Sequence, residues 1–124
     1  MSFDSDVALL LFNYQGLTLK SISGTANITI NNINLEEEII TISCSDGKIF
    51  NESFKRMRIV YNALLENRCT HVEAALQNSG SRRNVPETLL ANLPFIEYGY
   101  INNRKHLFLS ENNTHHLGTL KKKG

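Results

Sequence analysis

"SGSRRNVPETLLANLP", residues 79–94, joins a glycine turn, two adjacent arginines, a helix-start signal and a stopping proline within one short stretch. Its reading decides what the second half of the chain is. Asn84 can accept a hydrogen bond from a free amide of a following helix, so it reads as an N-cap. Pro86 is tolerated in the first turn, where its missing N–H has no intrahelical partner, and Glu87 stands at the third helical position. Val85, Leu89, Leu90 and Leu93 then fall on one stripe, and Pro94 ends the helix. This leaves Glu87, Thr88, Ala91 and Asn92 for an outward face. Before the helix lie Arg82 and Arg83, on its amino end, where unpaired amides and the helix dipole favour an anion.

Upstream, the period is also helical. Phe54, Met57, Tyr61, Leu64 and Leu65 make one apolar stripe, with Asn51 or Ser53 as a cap and Asn67 at the end. Thr70-His71-Val72-Glu73 reads as a capping box opening a second, short helix that stops at Asn78-Ser79-Gly80. Downstream of Pro94 the period becomes two. Residues 95–100 and 104–109 alternate as strands, and Asn102-Asn103 between them suits the positive φ of a tight hairpin turn. The tip of that ribbon carries Arg104 and Lys105. The tail closes on three lysines, 121–123, and is expected to fray.

The first half is different. Leu17, Leu19, Ile22, Ile28, Ile30, Ile33, Leu35, Ile39, Ile40, Ile42 and Cys44 alternate with polar residues, and Ser23-Gly24, Asn31-Asn32 and Asp46-Gly47 supply punctuation. A small antiparallel sheet of three to five strands is expected, with Asp46-Gly47 as a tight turn. Glu36-Glu37-Glu38 reads as a solvated loop or strand edge. Val7-Ala8-Leu9-Leu10-Leu11-Phe12 is far too short to span a membrane and reads as a buried strand or short helix. The expected division is a β-rich lobe over residues 1–50, a helical and hairpin lobe over 51–110 and a basic tail over 111–124, all in one compact α+β unit.

Net charge is +1, but it is unevenly placed. Residues 1–50 carry two lysines against six carboxylates, whereas 51–124 carry eleven basic residues against six acidic ones. A polyanion would therefore meet the second half, unless the two halves chiefly attract one another. Cys44 and Cys69 lack metal-binding spacing, and no leader-like segment precedes them, so reduced thiols in a cytoplasmic protein are expected. His71, His106, His115 and His116 match no zinc signature. No catalytic residue, metal or cofactor is assigned.

A long helix, a short capped helix, a glycine-containing turn, a third helix and a hairpin, over residues 53–110, resembles the winged helix-turn-helix architecture. The resemblance implies a third helix that enters the major groove and a hairpin wing that lies on the backbone. By position, Arg82 and Arg83 would touch phosphates, Thr88, Asn92 and Asn84 would face the groove, and Arg104 and Lys105 would form the wing tip. The function this implies is non-enzymatic binding of nucleic acid, DNA in preference to RNA, with no membrane contact. The β-rich lobe would offer a homodimer or protein-partner surface. No basic residue lies within 85–93, which suits an alternative role as a protein–protein adaptor with no nucleic-acid contact.

Overall fold

The isoleucines of the first half fold into a four-stranded antiparallel meander, β1 (Thr18–Leu19), β2 (Ile28–Asn34), β3 (Ile39–Cys44) and β4 (Ile49–Ser53), in that order. The structure is a computed structural model that describes residues 1–77 and 80–124. Asn31-Asn32 is not a turn. Ile30 pairs with Ile42 and Asn32 with Thr41, so Asn31 is an extra residue bulged out of β2. The bulge shifts the alternation by one, which lets Ile28, Ile30 and Ile33 all point inward despite their uneven spacing. The reversal comes later, through residues 35–38, where Glu38 takes a positive φ of 58°. Asp46-Gly47 does make the β3–β4 turn, closed by Cys44 N–H donating to the Lys48 carbonyl at 2.8 Å.

Ahead of the meander, α1 (Phe3–Asp6) leads into a 3₁₀ helix, Ala8–Tyr14. With three residues per turn, i and i+3 eclipse. Leu11 and Tyr14 therefore share the buried face, while Leu9 and Phe12 share a face that is 71% and 50% exposed. The apolar run is thus only partly buried.

The second half follows the expected order of elements: α2 (Phe54–Asn67), β5 (Cys69–Thr70), α3 (Val72–Leu76), α4 (Asn84–Ala91), β6 (Ile96–Ile101) and β7 (Arg104–Leu109). Its three strands lie in the order β5-β7-β6, all antiparallel. Ser53 caps α2 by accepting from the Lys55 amide, and Arg68 ends it in the left-handed region at φ 67°. Two caps differ from expectation. Thr70 belongs to β5, and His71 caps α3 instead, its Nδ1 accepting from the Ala74 amide at 3.2 Å. Asn84 lies inside the first turn of α4, whose preceding residue, Arg83, makes no side-chain cap. The expected stop of α3 at Asn78-Ser79-Gly80 lies in part outside the described residues. α3 itself ends at Leu76.

One apolar core runs through both sheets, from Phe3, Leu11 and Ile40 to Met57, Leu89 and Leu107. Both cysteines are free, and among the described residues no helix is long and apolar enough to cross a membrane. Ion pairs stitch the two lobes. Arg58 binds Asp4 at 2.6 Å and also Glu38, while its guanidinium lies 5.4 Å from the Phe3 ring centre. Arg56 forks onto Glu52 of β4, with contacts of 3.0 and 2.6 Å, and reaches the carbonyls of Ser81 and Arg82. Glu52 is 1% exposed, so this pair is desolvated and fully hydrogen-bonded.

Removing one partner of such a pair strands a charge in the interior. Arg56→Met is expected to lower unfolding stability by about 3–5 kcal/mol, and Arg56→Met with Glu52→Leu to recover most of that loss. Urea denaturation followed by circular dichroism checks both. A single-variant loss below about 1 kcal/mol would place the pair among surface-like ion pairs.

Candidate nucleic-acid interface

Helix α4 does not present an outward face. Residues Val85, Pro86, Glu87, Thr88, Leu89, Leu90 and Ala91 are all buried, and Thr88 and Asn92 are 0% exposed. The assignment of Thr88 and Asn92 as groove-facing side chains is therefore corrected. Asn92 spends its amide on main chain, donating to the Lys20 carbonyl at 3.1 Å and the Thr88 carbonyl at 2.9 Å. Tyr14, itself buried, donates to the Leu89 carbonyl at 2.6 Å, and Gly118 N–H donates to the Asn92 carbonyl. These contacts satisfy carbonyls that a buried helix end would otherwise leave unpaired. The α4 face read as solvated is the face that the β-rich lobe and the tail cover.

The amino end of α4 is occupied as well. Arg82, at φ 54°, sends its guanidinium back to Asp46 at 3.4 Å and lies 5.8 Å from the Phe50 ring centre. Arg83 donates to the Gln77 carbonyl. Asn84 is half-buried beside a recess of about 110 Å³ that it shares with Asn27, Cys44 and Asp46. The two arginines thus bind the chain to itself, at the opposite lobe and at the end of α3, and do not converge with the wing.

At the wing the expectation meets the geometry. Asn102 and Asn103 both take positive φ, 51° and 64°, the conformation a two-residue hairpin turn requires. Arg104 is exposed at the tip. Lys105 is half-buried, because its Nζ pairs with Glu87 at 2.9 Å. Glu87 is therefore neither a cap nor a solvated repulsive charge: it pins the wing to α4.

Sequence reasoning missed the tail's contribution. Tyr98 N–H donates to the Lys121 carbonyl at 3.0 Å and Lys123 N–H to the Tyr98 carbonyl at 2.7 Å, so residues 121–123 pair in parallel with the outer edge of β6. The tail is not frayed. Its alternation places Lys121 near Glu97 at 3.7 Å, Lys122 over the Tyr100 ring at 5.5 Å and Lys123 over Phe108 at 5.4 Å. Gly99 makes room for the Phe108 ring on which Lys123 rests: a Cβ there would meet that ring at 2.9 Å, whereas its 3.6 Å approach to Lys123 would be an ordinary contact. His115 anchors the segment, with Nε2 2.7 Å from the Ile96 carbonyl and Nδ1 3.0 Å from the Thr119 hydroxyl. Tyr98-Gly99-Tyr100, an aromatic pair spaced by glycine in a strand, was the available signal for an approach of this kind.

The result is a set of cations around the hairpin, divided between its two faces: Arg104 at the tip, Lys122 and Lys123 on the tail, and Lys121 and Lys105 held by carboxylates. Among the described residues, Arg104, Lys122 and Lys123 form no ion pair. Beside Arg104 and Lys105, a groove of about 420 Å³ opens between the wing tip, His71 and Glu73 of the α3 end, and Glu87. The His71 and His106 rings face each other across 5.4 Å at its rim.

Burial raises the Glu87 pKa, against the opposing pull of the Lys105 ammonium. Glu87 thus holds its proton more tightly folded than unfolded. Its contribution to stability is fully present below the ordinary carboxylate value of 4.5 and is lost as pH rises through the higher folded value. Glu87→Gln should flatten the fall in stability over that window, and Lys105→Met, which leaves the carboxylate uncompensated, should extend the fall to higher pH. Urea midpoints between about pH 4 and about pH 8 measure it. Parallel curves for the parent protein and Glu87→Gln would rule it out.

Compared with known proteins, the chain matches no protein family, no curated protein and no solved structure.

Proposed function

We propose that this protein binds nucleic acid, non-enzymatically, by phosphate contacts from the wing and the tail. The observation that carries the reading is the main-chain pairing of residues 121–123 with Tyr98, which fixes Lys122 and Lys123 along β6, the strand that leads to the hairpin tip and its exposed Arg104. A cation fixed by its backbone loses less freedom on meeting a phosphate than one on a frayed tail. With α4 enclosed, its side chains offer no readout of base edges in a groove, so the binding follows the backbone of the polyanion and takes its strength from counterion release. Thr88 and Asn92 have no part in it, and Arg82 and Arg83 act in folding.

A second reading, a docking module for another protein, is favoured by the aligned and exposed Leu9 and Phe12 on the 3₁₀ helix. Titration separates the two. Three or four phosphate contacts predict an affinity for labelled DNA or RNA that falls about 30- to 150-fold between about 50 and about 200 mM salt. The triple variant Arg104→Ala, Lys122→Ala, Lys123→Ala should weaken binding and reduce the slope of log K against log salt by about 2 to 3. Arg82→Ala should leave that slope unchanged. If no probe binds at low salt, the nucleic-acid reading falls and the docking reading stands.

A further inference from the structure

We infer that the nucleic acid bound is single-stranded, with one base stacked on Tyr100. The inference rests on the wing-and-tail reading and names the form of ligand that those surfaces suit. Tyr100 is a large aromatic left 52% exposed at the end of β6, where burial in the core could have been had two residues earlier. Its orientation is set. The Tyr98 ring stands nearly perpendicular to it, 6.5 Å away at 88°, and Lys122 lies 5.5 Å from its centre. Across the hairpin it pairs with Lys105, and the next pair is Ile101, 40% exposed, with Arg104. One face of the hairpin thus offers a fixed aromatic plane with Lys122 over it and Lys105 beside it, while Arg104, in the next pair along, stands at the tip on the opposite face.

This is the combination a single strand needs. Its bases are unpaired and each has a π-face, so an aromatic plane adds affinity without reading sequence, while neighbouring ammonium and guanidinium groups follow the phosphates. A duplex keeps its bases stacked inside and gains nothing from Tyr100. Nor does the molecule offer a duplex the usual alternative, since the helix that would lie in a groove is buried on all sides. The two-asparagine turn, with both residues at positive φ, closes the hairpin just beyond the ring, so Arg104 at the tip can meet the phosphate of a neighbouring nucleotide.

Fluorescence anisotropy with labelled oligo-dT, oligo-U and a duplex of equal length, at low salt, tests the inference. The single strands should bind more tightly than the duplex. Tyr100→Ala should weaken single-strand binding about tenfold with its salt slope unchanged, Tyr100→Phe should restore it, and duplex binding should not respond to either. Tyr100→Trp supplies a direct probe in a chain that has no tryptophan: indole emission should be quenched by oligo-dT and not by duplex. Tyr100 is exposed, so these variants keep the fold, which circular dichroism verifies. If Tyr100→Ala binds oligo-dT as the parent does, or duplex binds as tightly as single strands, the stacking site is overturned. In that case the loss of binding in the Arg104, Lys122 and Lys123 variants would still support the wider reading. Absence of binding to every probe would overturn both.

Discussion

The carbonyl end of α4 is the point on which the architecture turns. A helix of eight residues buried on all sides must find partners for its last carbonyls without water, and it finds them in its own C-cap Asn92, whose side chain also reaches Lys20, and in two distant places, the Tyr14 phenol and the tail at Gly118. Each tie crosses from α4 to a different part of the chain. The 3₁₀ helix, the start of the β-sheet and the tail are thereby all fixed to one element. The same ties enclose the helix whose position in a winged helix-turn-helix would make it the reader of a groove. Among the described residues, Thr88 Oγ1 and Asn92 Oδ1 find no hydrogen-bond partner, a cost of about 1–3 kcal/mol each for enclosing polar side chains there.

The uneven charge follows from that arrangement. The acidic first half and basic second half are matched in part: Arg82 with Asp46 and Arg58 with Asp4 and Glu38, while Arg56 pairs with Glu52 of β4 within the second half. These arginines lie on α2 or at the foot of α4, where they face the β-rich lobe. Among the described residues of the second half, the cations in no ion pair are Lys55, Arg68 and Arg83 together with Arg104, Lys122 and Lys123 on the hairpin and tail. A net charge near zero therefore conceals a concentration of cations on the hairpin and tail.

Much of this was legible. The change from period two to helical period and back marks β4, α2 and β6, and Asn102-Asn103 announces the positive φ that the structure shows. Local rules misjudged the caps. His71 took the place offered to Thr70 because Thr70 is drawn into pairing with Leu107, a partner far along the chain. The face of α4 was misread for a similar reason. Threonine and asparagine at a spacing of four look like a solvated stripe, and only the presence of Lys20, Tyr14 and Gly118 nearby makes that face an interior. A lysine-rich tail likewise looks frayed until the main chain of Tyr98 pairs with it. In each instance the missing term was a backbone hydrogen bond to a remote segment, which side-chain periodicity does not encode.

The same distinction separates what holds the molecule together from what it can offer a ligand. Arg56, Arg58, Arg82 and Glu87 act through their side chains in buried or half-buried pairs, so their chemistry is spent on folding. The tail lysines are placed by their main chain, through Tyr98; Lys121 also reaches the buried Glu97, whereas Lys122 and Lys123 form no ion pair among the described residues. Lys105 stands between the two groups, since its pairing with Glu87 fixes the angle of the hairpin while its stem stays beside Tyr100. The wing is therefore rigid because of one buried carboxylate and basic because of a backbone-held tail, and the two properties can change independently.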